Sequence, residues 1–351
     1  MNSRRLCVAL SVLAVAALIL AACGQAATPT PETIVETVEV PVVETVGVPV
    51  TAEPFDCTGH TMAHLGFGHQ FAFIAIVDDS MQAVAAERGV NLIFLDNEFS
   101  PDKALENAEI IAARGDVELV FEMNYWQQQN YVIAEIFRDA GIPVIALDTP
   151  VPGATYYGGD NYTAGKLAGQ ALGQYAIDNW GGDVGLVLVE QQNIAGQQAL
   201  EARTLGIIAG IHESLPSLPD DLIVRFEGGV NVDEAREAVV AQLDAHPEAG
   251  HILIGMLGDS NGVAAAIAAE EAGYVETTRV TGMGGDTVAI EALRSGDPPN
   301  FLGSTTWRPE NYGNDLITLG CRILAGEQVP AMVFVPHVFI TSENLSEYYP
   351  E

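Results

Sequence analysis

From residue 62 onward, short continuous apolar runs alternate with longer stretches whose apolar positions fall three and four apart. The first rhythm is that of strands covered on both faces, the second that of amphipathic helices. Strands are predicted over residues 62–67, 91–96, 117–122 and 143–149, separated by helices over 73–88, 101–114 and 127–140. In the first of these helices Phe73, Val77, Met81 and Val84 share a face, and Pro101 opens the second, where its missing N–H costs nothing. Beyond residue 160 the alternation resumes, with helices over 163–179, 196–214, 232–245, 261–272 and 287–294. Between and after them lie strands over 184–190, 222–226, 251–257, 279–283 and 301–305, then a helix over 310–325, a strand over 332–340 and a polar end. Strand-helix alternation sustained in this way means parallel βαβ units, so the expected fold is α/β with two doubly wound parallel-sheet lobes.

The residues before this pattern carry a different message. Arg4 and Arg5 precede an apolar run over 6–20, short for a membrane-spanning helix and of the right length for a signal peptide. The run ends in Leu20-Ala21-Ala22-Cys23, which resembles the lipobox of bacterial lipoproteins. That resemblance implies a signal peptide over 1–22, cleavage before Cys23 and diacylglycerol on its sulfur. The other readings are an ordinary secretion signal with an incidental cysteine, or a retained anchor helix. Residues 23–55 change to Thr, Pro, Glu and Val, with proline at 29, 31, 41, 49 and 54, the composition of an extended tether.

Charge removes whole classes of partner. A formal net charge of -33 repels phosphate backbones, so neither nucleic acid nor an anionic lipid surface is expected to bind. Of the four cysteines, Cys7 leaves with the signal and Cys23 takes lipid, which leaves Cys57 and Cys321 as either a disulfide or two buried thiols.

The run Pro143-Val-Ile-Ala-Leu-Asp148-Thr149 ends in a carboxylate and so delivers Asp148 to the carboxyl edge of a sheet, where open α/β sheets bind ligands. It is followed by Gly159-Asp160-Asn161, then Gly165-Lys166-Leu-Ala-Gly169, the box Glu201-Ala202-Arg203-Thr204, and Val280-Thr-Gly282-Met-Gly-Gly285-Asp286. In this order and spacing the chain resembles the type I periplasmic binding proteins, closest to the ribose- and galactose-binding branch, over roughly residues 62–345. The resemblance implies a three-stranded hinge, with crossings near Gly159-Asp160, Trp307-Arg308 and Pro336-His337. It divides the chain into a first lobe of 56–159 plus 308–336 and a second of 160–307 plus 337–351. Cys321 then falls in the lobe of Cys57, which favours the disulfide. It further implies a monomeric, extracytoplasmic lipoprotein without enzymatic activity, cofactor or metal, which binds a monosaccharide-sized sugar and hands it to the permease of an ABC importer.

Sugars are gripped by flat apolar faces and by planar donors and acceptors that engage adjacent hydroxyls. In the loop from Gly68 to Phe73, Phe71 and Phe73 match the family's ring-stacking aromatics and Gln70 its polar contact. Asp148 matches a carboxylate that accepts sugar hydroxyls; Thr149 stands where the family often has Arg. Arg203 matches a sugar-gripping Arg. Gly258 replaces a usual Asn, with Asp259 beside it; Gly284 stands near a late Asp, with Asp286 two residues on; Asn231 neighbours Val230, at the position of an aromatic; and Trp307 occupies a hinge-adjacent contact. Tyr125 and Trp126 are a further candidate wall, or lobe packing.

Two other readings are carried by residues. A nucleoside or other non-sugar ligand would use the same aromatics on a base. A secreted serine hydrolase would use Gly258-Asp-Ser260-Asn-Gly262, which fits G-x-S-x-G between strand and helix, with Asp286 and His337 following in triad order. Gly66-Phe-Gly68 lacks the third glycine of a dinucleotide loop, and a strand start between His60 and His64 removes a shared helical metal face.

Overall fold

A computed structural model describes residues 55–192, 198–229 and 231–350. The expected signal peptide, the lipidated Cys23, nearly all of the tether and Val230 lie outside the described residues. Among the described residues no helix is long and apolar enough to cross a membrane.

The first sheet is built from β1 (Thr61–Gly66), β2 (Asn91–Asp96), β3 (Leu119–Glu122), β4 (Val144–Leu147), β5 (Thr155–Gly158) and β11 (Met332–Phe334), in the order β11-β5-β4-β3-β1-β2. Every pairing in it is parallel. Its helices are α1 (Ala72–Glu87), α2 (Pro101–Ala112), α3 (Gln127–Ala140) and the later α9 (Tyr312–Leu324). The second sheet holds β6 (Leu186–Gln191), β7 (Ile223–Glu227), β8 (Ile252–Gly255), β9 (Thr278–Gly284), β10 (Phe301–Thr306) and β12 (Val338–Ile340), in the order β12-β10-β9-β8-β6-β7. Only β12 runs antiparallel there. Its helices are α4 (Asn161–Trp180), α5 (Gln198–Ser214), α6 (Val232–Ala245), α7 (Asp259–Glu271) and α8 (Thr287–Ser295), with a short α10 (Leu345–Tyr348) near the end.

The chain passes from the first sheet to the second after β5, returns after β10 and passes again between β11 and β12. The segment expected as one strand over 332–340 is therefore two, one in each sheet. Pro336 separates them, because proline offers no N–H to a ladder. The strand β5 was not expected at all: Pro150, Pro152 and Gly153 make the stretch read as a turn, yet Tyr156 and Tyr157 are buried on either face of the sheet.

Helix α5 is held against α4 by glycines on both. A Cβ at Gly165 would collide with the Arg203 carbonyl and one at Gly169 with that of Ile207, while Gly206 and Gly210 have no room for one against the carbonyls of Tyr162 and Lys166. The two backbones thus touch directly, and the register of α5, which carries Arg203, is set by that contact.

Cys57 and Cys321 form a disulfide, their Cα atoms 5.7 Å apart, tying the segment before β1 to α9. The link closes a loop of 264 residues in sequence separation, and loops of that length restrict the unfolded chain strongly. Replacing both cysteines with serine is expected to lower the unfolding free energy by about 2–5 kcal/mol. Denaturant unfolding of the oxidised wild type and the double variant checks this, and equal midpoints refute it.

Two glutamates are fully buried within the strands, Glu122 in β3 and Glu190 in β6. Burial raises the carboxyl of both, that of Glu122 well above its usual range, and only Asn97 Nδ2 at 3.4 Å opposes the rise at Glu122. A raised native pKa means that stability is complete below the unfolded value, about 4.3, and is lost as pH climbs towards the native one. The unfolding free energy is accordingly expected to fall as pH rises above the unfolded carboxyl value of about 4.3. Glu122→Gln, neutral throughout, should flatten that fall in chemical denaturation; an unchanged slope in the variant counts against the assignment.

Candidate functional site

The carboxyl ends of the two sheets face one another across a cavity of about 380 Å³, within the size range of small-molecule sites. Its first wall comes from segments that follow β1, β2 and β3: Phe67, Gln70, Phe71 and Phe73, then Phe99, then Tyr125. Its second wall comes from segments that follow β6 to β9 and from α5: Gln192, Arg203, Asn231, Asp259, Asn261 and Asp286, with Leu200, Leu257 and Met283 between them. Trp307, one residue past β10, closes the end at the crossing.

The loop before α1 is pinned at several points. Buried Asp78 of α1 bonds His64 Nε2 at 2.7 Å and His69 Nδ1 at 3.0 Å. The His69 N–H donates to Asp96 Oδ2 at 3.2 Å, and the His69 imidazole is raised by its bond to Asp78. This tied loop leads into Phe71, which occupies the N-cap position of α1. Phe99 adopts φ +56°, a costly conformation for a bulky residue, and is kept there by its N–H on the Phe67 carbonyl at 2.8 Å.

Arg203 is fixed by three contacts. Nε donates to Asn161 Oδ1 at 2.7 Å, Nη1 donates to the Leu257 carbonyl at 2.8 Å, and the guanidinium lies 4.7 Å from the Trp307 ring centroid. A guanidinium set in this way presents a rigid fork to a ligand. Asp259 sits in the first turn of α7, where its Oδ2 accepts from the N–H groups of Gly285 (2.6 Å) and Asp286 (2.9 Å). Its Oδ1 is buried without a hydrogen-bond partner. Burial first, and the neighbouring Asp286 second, hold this carboxyl above the ordinary range. Asp286 Oδ1 caps α8 through Val288 N and Ala289 N, and Asn231 Oδ1 caps α6 through Glu234 N.

Of the residues expected to bind ligand, Gln70, Phe71, Phe73, Arg203, Asn231, Asp259, Asp286 and Trp307 line the one cavity. Asp148 and Thr149 are not among the residues that line it. Asp148 is buried at φ +56°, and its carboxylate accepts from the Gly159 N–H at 3.1 Å and the Tyr312 hydroxyl at 2.9 Å. Its Oδ1 is thereby tied to the first crossing and to the start of α9. Burial pushes this carboxyl up to about 6. Trp126 supports the wall from behind, its ring centroid 5.4 Å from that of Phe99, while Tyr125 lines the cavity. Phe67 and Phe99 were missed as site residues, although each lies at or just beyond the carboxyl end of a predicted strand, the position that marks ligand contacts in open sheets.

Ser260 also lines the cavity. The histidine that a hydrolase would need is committed elsewhere: His337 Nε2 accepts from the Asp160 N–H at 2.9 Å and its Nδ1 lies 3.4 Å from the Thr306 carbonyl. With both ring nitrogens engaged by backbone, His337 has none left to take a proton from Ser260.

Comparison with known proteins agrees with this architecture. Residues 66–328 match the family model described as periplasmic binding protein domain. The Ribose import binding protein RbsB of Haemophilus influenzae is 26% identical over 268 residues, 74% of this chain and 84% of the relative. An ABC transporter solute binding protein from Mycobacterium smegmatis, solved with bound glycerol, superposes with a TM-score of 0.71 at 23% identity, covering 82% of this chain and 96% of its own. A periplasmic solute binding protein from Actinobacillus succinogenes with bound D-allose gives a TM-score of 0.71 at 18% identity, covering 82% and 100%. By the family match over most of its length and by its two facing sheets, the chain belongs to the periplasmic binding protein domain family.

Proposed function

We propose that this protein is the extracytoplasmic solute receptor of an ABC importer, binding a monosaccharide-sized sugar between its sheets and delivering it to the permease by hinge closure. The observation that carries this reading is the opposition of the two walls: rings on one side, and on the other Arg203, two carboxylates and three amides. A pyranose or furanose has the matching chemistry, with C–H faces to lie on rings and hydroxyls to bridge planar donors and acceptors. The relatives support it, since one is a ribose import protein and another was solved with D-allose.

In the mechanism, ligand touches Phe71 and Phe73 from one lobe (56–159 plus 308–336) and Arg203, Asn231, Asp259 and Asp286 from the other (160–307 plus 337–351). It thereby stabilises the closed arrangement relative to the open one. Rotation takes place about the three crossings, and the permease reads the closed lobes. A lipid on Cys23 and the 23–55 tether hold the receptor at the outer face of the membrane. No catalytic step, metal or cofactor enters this scheme, and the receptor acts as a monomer.

Screening the purified protein by thermal shift against pentoses, hexoses, polyols and disaccharides is expected to reveal one stabilising class. At about 100 times its dissociation constant, such a ligand adds about 2.7 kcal/mol of stability. Arg203→Ala should weaken binding at least tenfold, about 1.4 kcal/mol, with Arg203→Lys intermediate because the planar fork is lost but the charge kept. Small-angle scattering should show compaction on saturation. No shift with any carbohydrate, or a full-affinity Arg203→Ala, would refute the reading.

A further inference from the structure

Behind the second wall lies a carboxylate that does not itself line the cleft. Glu190, in β6, is fully buried, and three N–H groups converge on its side chain. Its Oε2 accepts from the Leu257 N–H at 2.7 Å, and its Oε1 accepts from Asn261 Nδ2 at 3.0 Å and, more distantly, from Gln192 Nε2 at 3.5 Å. Gln192 Nε2 also donates to the Gly229 carbonyl at 3.1 Å. The carboxylate is hemmed in, since a Cβ on Gly228 would collide with Oε1. The Glu190 backbone is used as well: its carbonyl accepts from Thr204 Oγ1 at 2.8 Å, which fixes α5 one residue after Arg203.

These bonds determine which end of each amide meets a ligand. A side-chain amide has a donor end and an acceptor end, whereas a carboxylate only accepts. Glu190 takes the nitrogens of Asn261 and Gln192, so their oxygens are left for the cleft, which both side chains line half-buried. Among the described residues nothing donates to either oxygen. The same carboxylate holds Leu257, whose carbonyl takes Arg203 Nη1 at 2.8 Å. The Arg203 fork and the two amide oxygens thus share one buried support, and contact residues keep a precise geometry only when such a layer holds them. Glutamine at 190 could not replace it. Whichever way the new amide turned, its own NH2 would meet either the Leu257 N–H or the nitrogens of Asn261 and Gln192, and the amides facing the cleft would have to rotate or lose their partner.

We propose that Glu190 is a positioning residue that sets the hydrogen-bond polarity of the second wall: by holding the nitrogens of Asn261 and Gln192, it turns both amide oxygens to the cleft, which then selects ligands that present hydroxyl hydrogens there over ligands that present only lone pairs. This rests on the reading of the cleft as a sugar receptor and adds to it the group that orients its polar contacts.

Calorimetric titration of the purified protein tests it, with D-ribose, D-allose, D-glucose and D-galactose and, for the sugar that binds best, its monodeoxyfluoro analogues, in which fluorine keeps an acceptor and removes the hydrogen. The wild type is expected to bind the parent sugar roughly tenfold more tightly than at least one analogue. Glu190→Gln should reduce that ratio to below about threefold, whereas a merely structural loss would weaken parent and analogue alike and leave the ratio unchanged. One of Asn261→Ala and Gln192→Ala, which remove an amide and leave Glu190 in place, should reduce it in the same way, and these two variants decide the matter if Glu190→Gln does not fold. Analogues that bind the wild type as tightly as the parent, a ratio unmoved in Glu190→Gln with the fold intact by circular dichroism, or a ratio unmoved in both alanine variants overturns the positioning role and leaves the sugar receptor standing. Absence of binding by every sugar overturns both.

Discussion

Two sheets that share no strand are joined here by three short crossings, and those crossings are bonded to one another. Asp148 takes the Gly159 N–H of the first crossing and the Tyr312 hydroxyl that follows the second. His337, in the third, reaches Asp160 of the first and Thr306 of the second. Trp307 packs on Gly159 so closely that a Cβ there would collide with the indole. Buried polar groups must find partners, and these find them on neighbouring crossings, so the three segments behave as one unit. The Asp160 bond also fixes the state of His337: Nε2 accepts, so the ring is neutral with its proton on Nδ1, and burial lowers the imidazole pKa in the same sense.

From that unit the geometry passes outward to the cleft. Trp307 is both a crossing residue and a cleft residue, and the Arg203 guanidinium rests on its face. Arg203 is carried by α5, whose register is set by glycine contacts against α4, and α4 begins one residue after the first crossing. Arg203 is therefore held against the crossing segments.

The walls are made differently because their backbones are. On the second wall, helix starts supply the positions: Asn231 and Asp286 cap the N-termini of α6 and α8, and Asp259, in the first turn of α7, accepts from the Gly285 and Asp286 N–H groups. On the first wall, loops after strands carry rings that stabilise each other, and the Asp78 contacts to His64 and His69 keep the leading loop in place.

Sequence alone determined the alternation of strands and helices, the parallel sheets and most of the residues that line the cavity, because apolar periodicity and position at a strand's carboxyl end are local properties. Phe71, Phe73, Arg203, Asp259 and Trp307 were legible in that way. Tertiary structure alone decided three things. It broke the expected strand at 332–340 into β11 and β12, since which sheet a short strand joins depends on partners far away in the chain. It added Phe67 and Phe99 to the site, one at the tip of β1 and the other in a backbone conformation that no periodicity reveals. It set the donors that the Asp148 carboxylate accepts from, because a carboxylate at a strand end bonds whatever donors arrive beside it. Here those are Gly159 and Tyr312, the second of them 164 residues away along the chain.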